Sequence, residues 1–483
     1  MSSRALSFVA LLSVVGLLLS PTAHGAADLV DPEREGANFS KQSERASDYL
    51  TPAMLRQQAE QSVDSAIEGV EEQAADPGRL FVTDLCWARP HACGGDPRLA
   101  YWKQRGYGRL RAIEFTGRNG STLVGHVWST RSGPRRRPLV VITPGSMQAT
   151  EQMYWWAAQV LAKSGYVVVT FDVQGQGRSD TLGDGEDRFD GVPTQTALTT
   201  FFDHTQDALD FALSRPRRSY CPRNSRSGTS HCDKQHRRVR EGTASGFNPL
   251  WRYVDPRRVG LAGHSYGGDG ATWIGQQDPR VDAVVAWDNL CDPTARDGSP
   301  AACRTNGLGS PRPRIPSLGI SGDYPGTPTP YHEPPDPRAK SAASRRFSRA
   351  GVDTGQIVIR GGTHYEWSYI PAPTFGATLR GIDLSAWYTT AWFDRYVKGD
   401  RRAQRRLLTD RWRHDGIEAS VDPLGEGNML SHHYRSRLDV GRRDGRRVRC
   451  EHLRRGCAAL TSRDGRGRAY SYLAIATSPD ARP

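Results

Sequence analysis

Two stretches alternate apolar and polar residues, Leu110 to Phe115 and Thr122 to Ser129, on either side of Arg118-Asn119-Gly120. Period-two alternation around a glycine-bearing turn predicts an antiparallel hairpin. Beyond it the pattern changes to short runs dominated by apolar residues: Leu139 to Thr143, Tyr166 to Val173, Val259 to Ala262, Val281 to Trp287, Ile315 to Ser321 and Gln356 to Arg360. Runs without alternation predict strands covered on both faces, as in a parallel sheet. Helical spacing fills the gaps at Tyr154 to Ser164, Thr194 to Leu213, Gly268 to Gln276 and Leu384 to Val397, with Leu198, Phe201, Phe202, Leu209 and Phe211 placed to face inward. The fold class is therefore α/β, a mostly parallel central sheet flanked by helices.

The flanks read differently. Arg4, an apolar run from Ala5 to Leu19 and small residues to Ala26 have the three regions of a secretory signal, with cleavage after Gly25 or Ala26. The run is shorter than the ~20 residues a spanning helix needs, so we expect residues 1–25 to be a signal peptide and the product to be secreted, without a transmembrane segment. Residues 26–109 form an N-terminal arm, helical over Thr51 to Glu72 (Met54, Leu55, Ala59, Val63, Ala66, Val70), and a lead-in containing Cys86, Trp87 and Cys93. Residues 110–398 make the main domain, with a polar, arginine-rich insertion at 215–253 expected at the amino ends of the strands, away from any ligand face. Residues 399–483 are a basic extension with strand-like runs at Arg447 to Cys450 and Tyr470 to Ala476, which predicts a small β-rich appendage.

Candidate chemistry centres on Gly263-His264-Ser265-Tyr266-Gly267, which fits G-x-S-x-G after a short apolar strand and before a helix. Ser265 at such a turn needs a base to take its proton and donors to hold an oxyanion. Asp323 ends a later strand and His364 follows the last, giving the chain order Ser, Asp, His. The glycine-rich Asp172 to Ser179 has neither a Gly-Lys-Ser/Thr ending nor a third dinucleotide-type glycine, so it is not read as a nucleotide site.

With these motifs the sequence resembles the α/β-hydrolase superfamily over about Leu110 to Lys398, through PGSM, DVQGQGRSD, GHSYGG, GGTH and AWFDRYVKGD. Secreted serine esterases and cutinase-like polyester hydrolases share a tryptophan-rich helix after PG and a GG-[ST]-H near the end. The resemblance implies Ser265 as nucleophile, His364 as general base and an oxyanion hole from the backbone N–H groups of Tyr266 and of Ser146 or Met147. The acid departs from the pattern: relatives place it three residues after the glycine, where this chain has Pro325. Asp323 is the first choice, Asp288 the alternative from the preceding strand, and Glu333 and Asp336 follow. Trp287 is a candidate substrate wall; Tyr154, Trp155, Trp156, Tyr365 and Trp367 are weighed beside it against a place in the core.

The eight cysteines fall into neighbouring couples, Cys86 with Cys93, Cys221 with Cys232, Cys291 with Cys303 and Cys450 with Cys457, and sequential disulfides are expected in an exported chain. Zinc at Cys221, His231, Cys232 and His236 matches no common spacing, so no metal or other cofactor is expected. The net charge of +13 comes from scattered arginines without interleaved aromatics, which argues against nucleic acid and for solvated surface, with weak attraction to anionic cell-surface polymers or lipids. The leading expectation is a secreted serine hydrolase of carboxylic esters. A peptidase or amidase on the same fold and a non-catalytic cell-envelope binding protein are the alternatives.

Overall fold

The computed structural model describes residues 108–461, with interruptions at 147–148, 191–198, 289, 297, 306, 327–330, 332, 369–378, 416–426 and 443–444, together with Trp102, Tyr470 and parts of 52–79. The expected signal peptide, the Cys86 and Cys93 couple and Met147 lie outside the described residues.

Ten strands form one sheet: β1 (Gly108–Thr116), β2 (Thr122–Thr130), β3 (Arg137–Thr143), β4 (Val167–Phe171), β5 (Val254–His264), β6 (Ala283–Trp287), β7 (Ser317–Gly322), β8 (Thr354–Ile359), β9 (Arg437–Gly441) and β10 (Arg447–Cys450). Their order is β1-β2-β4-β3-β5-β6-β7-β8-β9-β10. The strands from β4 to β8 run parallel, and antiparallel pairs close both ends.

The apolar runs are explained by burial on both faces. Alternate side chains of one strand enter different cores: Val140 and Ile142 of β3 join one cluster, Leu139 and Val141 the other. Helices α1 (Trp155–Lys163) and α6 (Leu379–Tyr396) cover the first face, contributing Trp156, Leu161, Trp392 and Phe393. Helices α2 (Thr199–Ala212) and α4 (Tyr266–Gln277) cover the second, with Phe201, Phe202, Leu209 and Ile274. Leaving the sheet in these directions puts the carboxyl ends of β3 to β8 along one rim, where loops can meet.

The carboxyl-terminal extension corrects an expectation. It continues the central sheet instead of forming an appendage, since β9 pairs with β8 through Gly355 and Leu438, and β10 pairs with β9. Leu407, Leu408, Trp412, Met429, Leu430, Leu438 and Val448 join the core beneath α6. Without β9 the apolar strand β8 would be an open edge. Buried Asp439 on β9 is paired by Arg447 on β10 at 2.8 Å, so the basic character of this segment is partly internal.

The 215–253 insertion also differs from expectation. It leaves α2 and enters β5 at the amino ends, but its middle climbs the β1 edge to the opposite rim. Helix α3 (Cys232–Glu241) reaches the β1–β2 turn, where Lys234 Nζ donates to the Gly120 carbonyl at 2.7 Å. The β1–β2 turn sits at the carboxyl rim because antiparallel β2 aligns Gly125 with Phe171, the end of β4. Two buried ion pairs tie the N-terminal arm to the same edge: Asp76 with Arg238 at 2.5 Å and Arg79 with Asp180 at 2.6 Å. The described part of residues 52–75 is helical and exposed, including Val63 and Ile67.

Among the described residues, three disulfides join Cys221 to Cys232, Cys291 to Cys303 and Cys450 to Cys457. No described helix is long and apolar enough to cross a membrane.

Candidate active site

Strand β5 ends at His264 and α4 begins at Tyr266, so the whole reversal falls on Ser265 at φ 54° and ψ −123°. A residue with a β-carbon is strained there by about 1–3 kcal/mol and is held only where neighbours over-determine it. Here the Ser265 N–H donates to the Trp287 carbonyl at 2.9 Å, and its carbonyl accepts from Asp269 N–H at 3.1 Å. The flanking glycines are required by proximity. A β-carbon on Gly263 would lie 2.1 Å from the Gly267 carbonyl, and one on Gly267 would lie 2.2 Å from the Pro144 carbonyl.

His364 follows β8 in a turn and meets Ser265 directly, Nε2 to Oγ at 3.0 Å. Its Nδ1 lies 2.6 Å from Asp288 Oδ2. Since the carboxylate accepts, Nδ1 carries the proton and Nε2 is left to accept from the serine hydroxyl. Asp288 is the residue after β6, and the register that sets His264 beside Trp287 makes Ser265 and Asp288 neighbours on adjacent strand ends. A positive φ of 33° turns Asp288 toward His364, while its N–H stays on the Ile320 carbonyl of β7 at 2.8 Å. Burial alone would raise this carboxyl; the His364 hydrogen bond and the Lys340 charge outweigh it and hold Asp288 at about 2.

The geometry brings Asp288, the alternative, and not Asp323, the first choice, to His364. Asp323 is fully buried one strand further on and makes no contact with His364 among its described partners. Its Oδ2 accepts from the Gly361 N–H at 2.7 Å and its Oδ1 from the Ser431 hydroxyl. Asp323 thus braces the start of the loop that carries His364. Glu333 and Asp336 are exposed. The signal for Asp288 was its place directly after the strand paired with β5, at a residue type that tolerates positive φ.

Beneath the site lies a second histidine whose role the motif alone did not reveal. His264 Nε2 donates to the His364 main-chain carbonyl at 2.7 Å, and its Nδ1 accepts from Tyr154 O–H at 2.7 Å. Tyr154 in turn accepts from the Gly145 N–H at 3.1 Å. Burial, then the neighbouring His364, lowers His264 to about 3, so it is neutral. Gln176, from the glycine-rich turn after β4, donates to the Gly145 carbonyl at 2.8 Å. That turn shapes the loop beside Ser265.

Tyr266 N–H, in the first turn of α4, has no intrahelical acceptor and sits at the positive end of the helix dipole. Gly145 approaches so closely that a β-carbon there would stand 3.2 Å from Ser265 Cβ, which brings Ser146 to the site's edge. Trp287 is not a wall: it is fully buried, stacked on Tyr154, with Nε1 donating to Thr389 Oγ1 at 3.2 Å. Tyr154, Trp155, Trp156 and Trp367 are core as well. Tyr365, half-buried and edge-on to His364, and Tyr266 remain at the mouth.

The loop closed by Cys291 and Cys303 follows Asp288 and brings Arg304 onto α4. Its Nε donates to Asp269 Oδ2 at 2.8 Å, and its guanidinium lies 4.1 Å from the centre of the Tyr266 ring. Burial pushes Asp269 up to about 6 against the opposing pull of Arg304.

At the residues weighed and set aside as a zinc set, Cys221 and Cys232 are consumed by their disulfide and His231 Nε2 pairs with Asp187 at 2.7 Å. No group of three or more metal-ligating side chains occurs among the described residues. No protein-family model matches this chain, and no curated protein matches it.

Proposed function

We propose that the chain is a serine hydrolase of the α/β-hydrolase type that cleaves carboxylic esters through an acyl-enzyme. The observation that carries this reading is the continuous hydrogen-bond line from Ser265 through His364 to Asp288, at 3.0 and 2.6 Å, on a strained serine at a strand-to-helix turn.

In the reaction, Ser265 Oγ bonds to the ester carbonyl carbon while its proton passes to His364 Nε2. Asp288 holds the imidazole by Nδ1–H and stabilises the cation that forms. The oxyanion is held by the N–H groups of Tyr266 and of the loop after β3, each such donor contributing about 3 kcal/mol. Breaking the carbonyl–alkoxide bond expels the alcohol, which takes the proton from His364. Water then repeats the sequence: His364 accepts its proton, the hydroxide adds to the acyl carbon, and Ser265 leaves reprotonated with release of the acid. Export fits the three disulfides, which persist in oxidising compartments.

The test is labelling of the purified, oxidised protein with a fluorophosphonate, comparing wild type with Ser265→Ala, followed by a series of p-nitrophenyl esters. Labelling lost in Ser265→Ala together with ester turnover is expected. A folded wild type that neither labels nor turns over any ester would sink the reading.

A further inference from the structure

A cleft of about 560 Å³ opens at the amino ends of β3 and β5, lined by Arg136, Arg215, Arg218, Arg223, Arg252 and Arg280, with Asp210 as its carboxylate. It lies at the far end of the sheet from the site described above. Strand β5 runs from Val254, in the cleft lining, to His264 beside the serine, and a strand of that length spans roughly 35 Å.

The charge in this cleft is not internally neutralised. Asp210 is shared by Arg223 at 2.6 Å and Arg280 at 2.5 Å, and Arg280 is also paired with Asp278. Arg136, Arg215, Arg218 and Arg252 are exposed and have no carboxylate partner among the described residues. Positive charge crowds the same end behind the lining, where Arg109 and Arg137 both lie over the Tyr253 ring, at 4.8 and 5.8 Å. Burial, and then the nearby Arg109, lowers the Arg137 guanidinium from its ordinary value. Guanidinium groups left unpaired around a concavity are suited to oxyanions, which they bind by paired N–H donation.

We propose that this cleft is an anchoring site for a flexible, non-nucleic anionic polymer, a chain of repeated phosphate groups. Shape and stacking chemistry select that occupant. The floor is recessed at Ala212, Ser214 and Tyr220, so a flat bilayer would touch only the rim, whereas a thin chain can enter. Base stacking, which would favour single-stranded nucleic acid, finds one indole in the lining, Trp251, and the Arg252 guanidinium lies over it at 5.4 Å. Because the cleft is remote from Ser265, anchoring leaves the serine open to its own substrate. The site stands independently of the proposed ester chemistry.

The experiment measures binding of the full mature chain to immobilised long-chain polyphosphate between about 50 and 200 mM salt. It compares wild type with Arg136→Ser/Arg215→Ser/Arg218→Ser/Arg252→Ser and with a charge-matched control, Arg312→Ser/Arg401→Ser/Arg402→Ser/Arg405→Ser, in which the altered residues are also exposed. The cleft variant should lose about tenfold or more in affinity and show a shallower salt dependence, while the control stays within about twofold of wild type. Circular dichroism and turnover of a soluble ester should be the same in all three. Equal loss in the control would mean diffuse surface charge and overturn the proposal, as would a cleft variant that binds like wild type. Competition by orthophosphate at equal phosphate concentration, tighter binding to single-stranded DNA, or equal retention on anionic vesicles would each overturn the assignment of a polymer to this cleft.

Discussion

His264 Nε2 donates to the main-chain carbonyl of His364 at 2.7 Å, so the residue just before Ser265 holds the loop that carries His364. The same ring accepts from Tyr154, which accepts from Gly145 in the loop beside Ser265. One neutral imidazole thereby fixes the end of β5, the loop of His364 and the loop after β3 in a single hydrogen-bonded line.

Replacing His264 should therefore damage turnover without touching substrate. His264→Phe keeps the volume but strands the His364 carbonyl and the Tyr154 hydroxyl, a loss of about 1–3 kcal/mol for each buried group. We expect kcat to fall at least about tenfold with KM little changed, and His264→Gln, which retains a donor, to recover part of it. Steady-state kinetics on one soluble ester decides this; a His264→Phe enzyme with wild-type kcat would show that the loop is held by other contacts.

The two candidate acids should separate cleanly. Asp288→Asn removes the charge that orients His364 and should lower kcat by about 10³-fold or more. Asp323→Asn still offers one acceptor to Gly361 or Ser431, so its expected effect is a loss of stability of about 1–3 kcal/mol with activity within roughly tenfold of wild type. Paired kinetics and urea unfolding of the two variants test the assignment. The opposite ranking would return Asp323 to the acid's role.

The strands from β1 to β8 were readable because each contains an alternating or mainly apolar run, and the elbow because only glycine fits at 263, against the Gly267 carbonyl, and at 267, against the Pro144 carbonyl. Ser265 and His364 were legible for the same reason: each follows a recognisable strand. The contact of His364 with Asp288 was not, since Asp288 and Asp323 both end strands, and only the side-by-side register of β5 and β6 distinguishes them. Helix α3 was hidden by its polar sequence. It is defined by Asp233 in its first turn, basic residues in its last and left-handed Gly242 at its end. β9 was equally silent, because RLDVG carries a buried aspartate whose arginine partner lies on the next strand.

Acid should destabilise the fold well above the range where carboxylates titrate. Burial lowers His204 and His264 from 6.5 to about 3, and His433 to about 4. Between pH 6.5 and those values the unfolded chain binds protons that the folded chain refuses, so stability rises with pH there and is lost on acidification. Asp269, pushed up to about 6 by burial, works in the opposite sense between 3.8 and 6. His452, lowered to about 4, acts with these three histidines, and Asp190, Asp207 and Asp282, raised by burial, act with Asp269; the histidines, whose gap between folded and unfolded values is the widest, set the sign near pH 5. Below 3.8 the loss of Asp288, held at about 2, adds to it. Urea midpoints at pH 7.5, 5.5 and 4.5 should fall in that order, and a flat series would mean these histidines are hydrated in solution.

The disulfide between Cys291 and Cys303 lies close to Asp288 in sequence, yet the sheet and not the loop should position this carboxylate. Asp288 is anchored upstream of the disulfide, by its own N–H on the Ile320 carbonyl and by the β5–β6 register. Both cysteines are buried in the core under α4, and closing a loop of this size is worth about 3 kcal/mol in the chain-entropy description. Cys291→Ala/Cys303→Ala should therefore lower stability by roughly 2–3 kcal/mol and free Arg304 from Asp269, while kcat at a temperature well below unfolding stays within about threefold of wild type. Thermal unfolding and ester turnover at 15 °C, measured on the same preparation, separate the two effects. A folded double variant that has lost more than a hundredfold in kcat would place control of Asp288 in the disulfide loop, and reduction of the wild type would then act as a switch on the site.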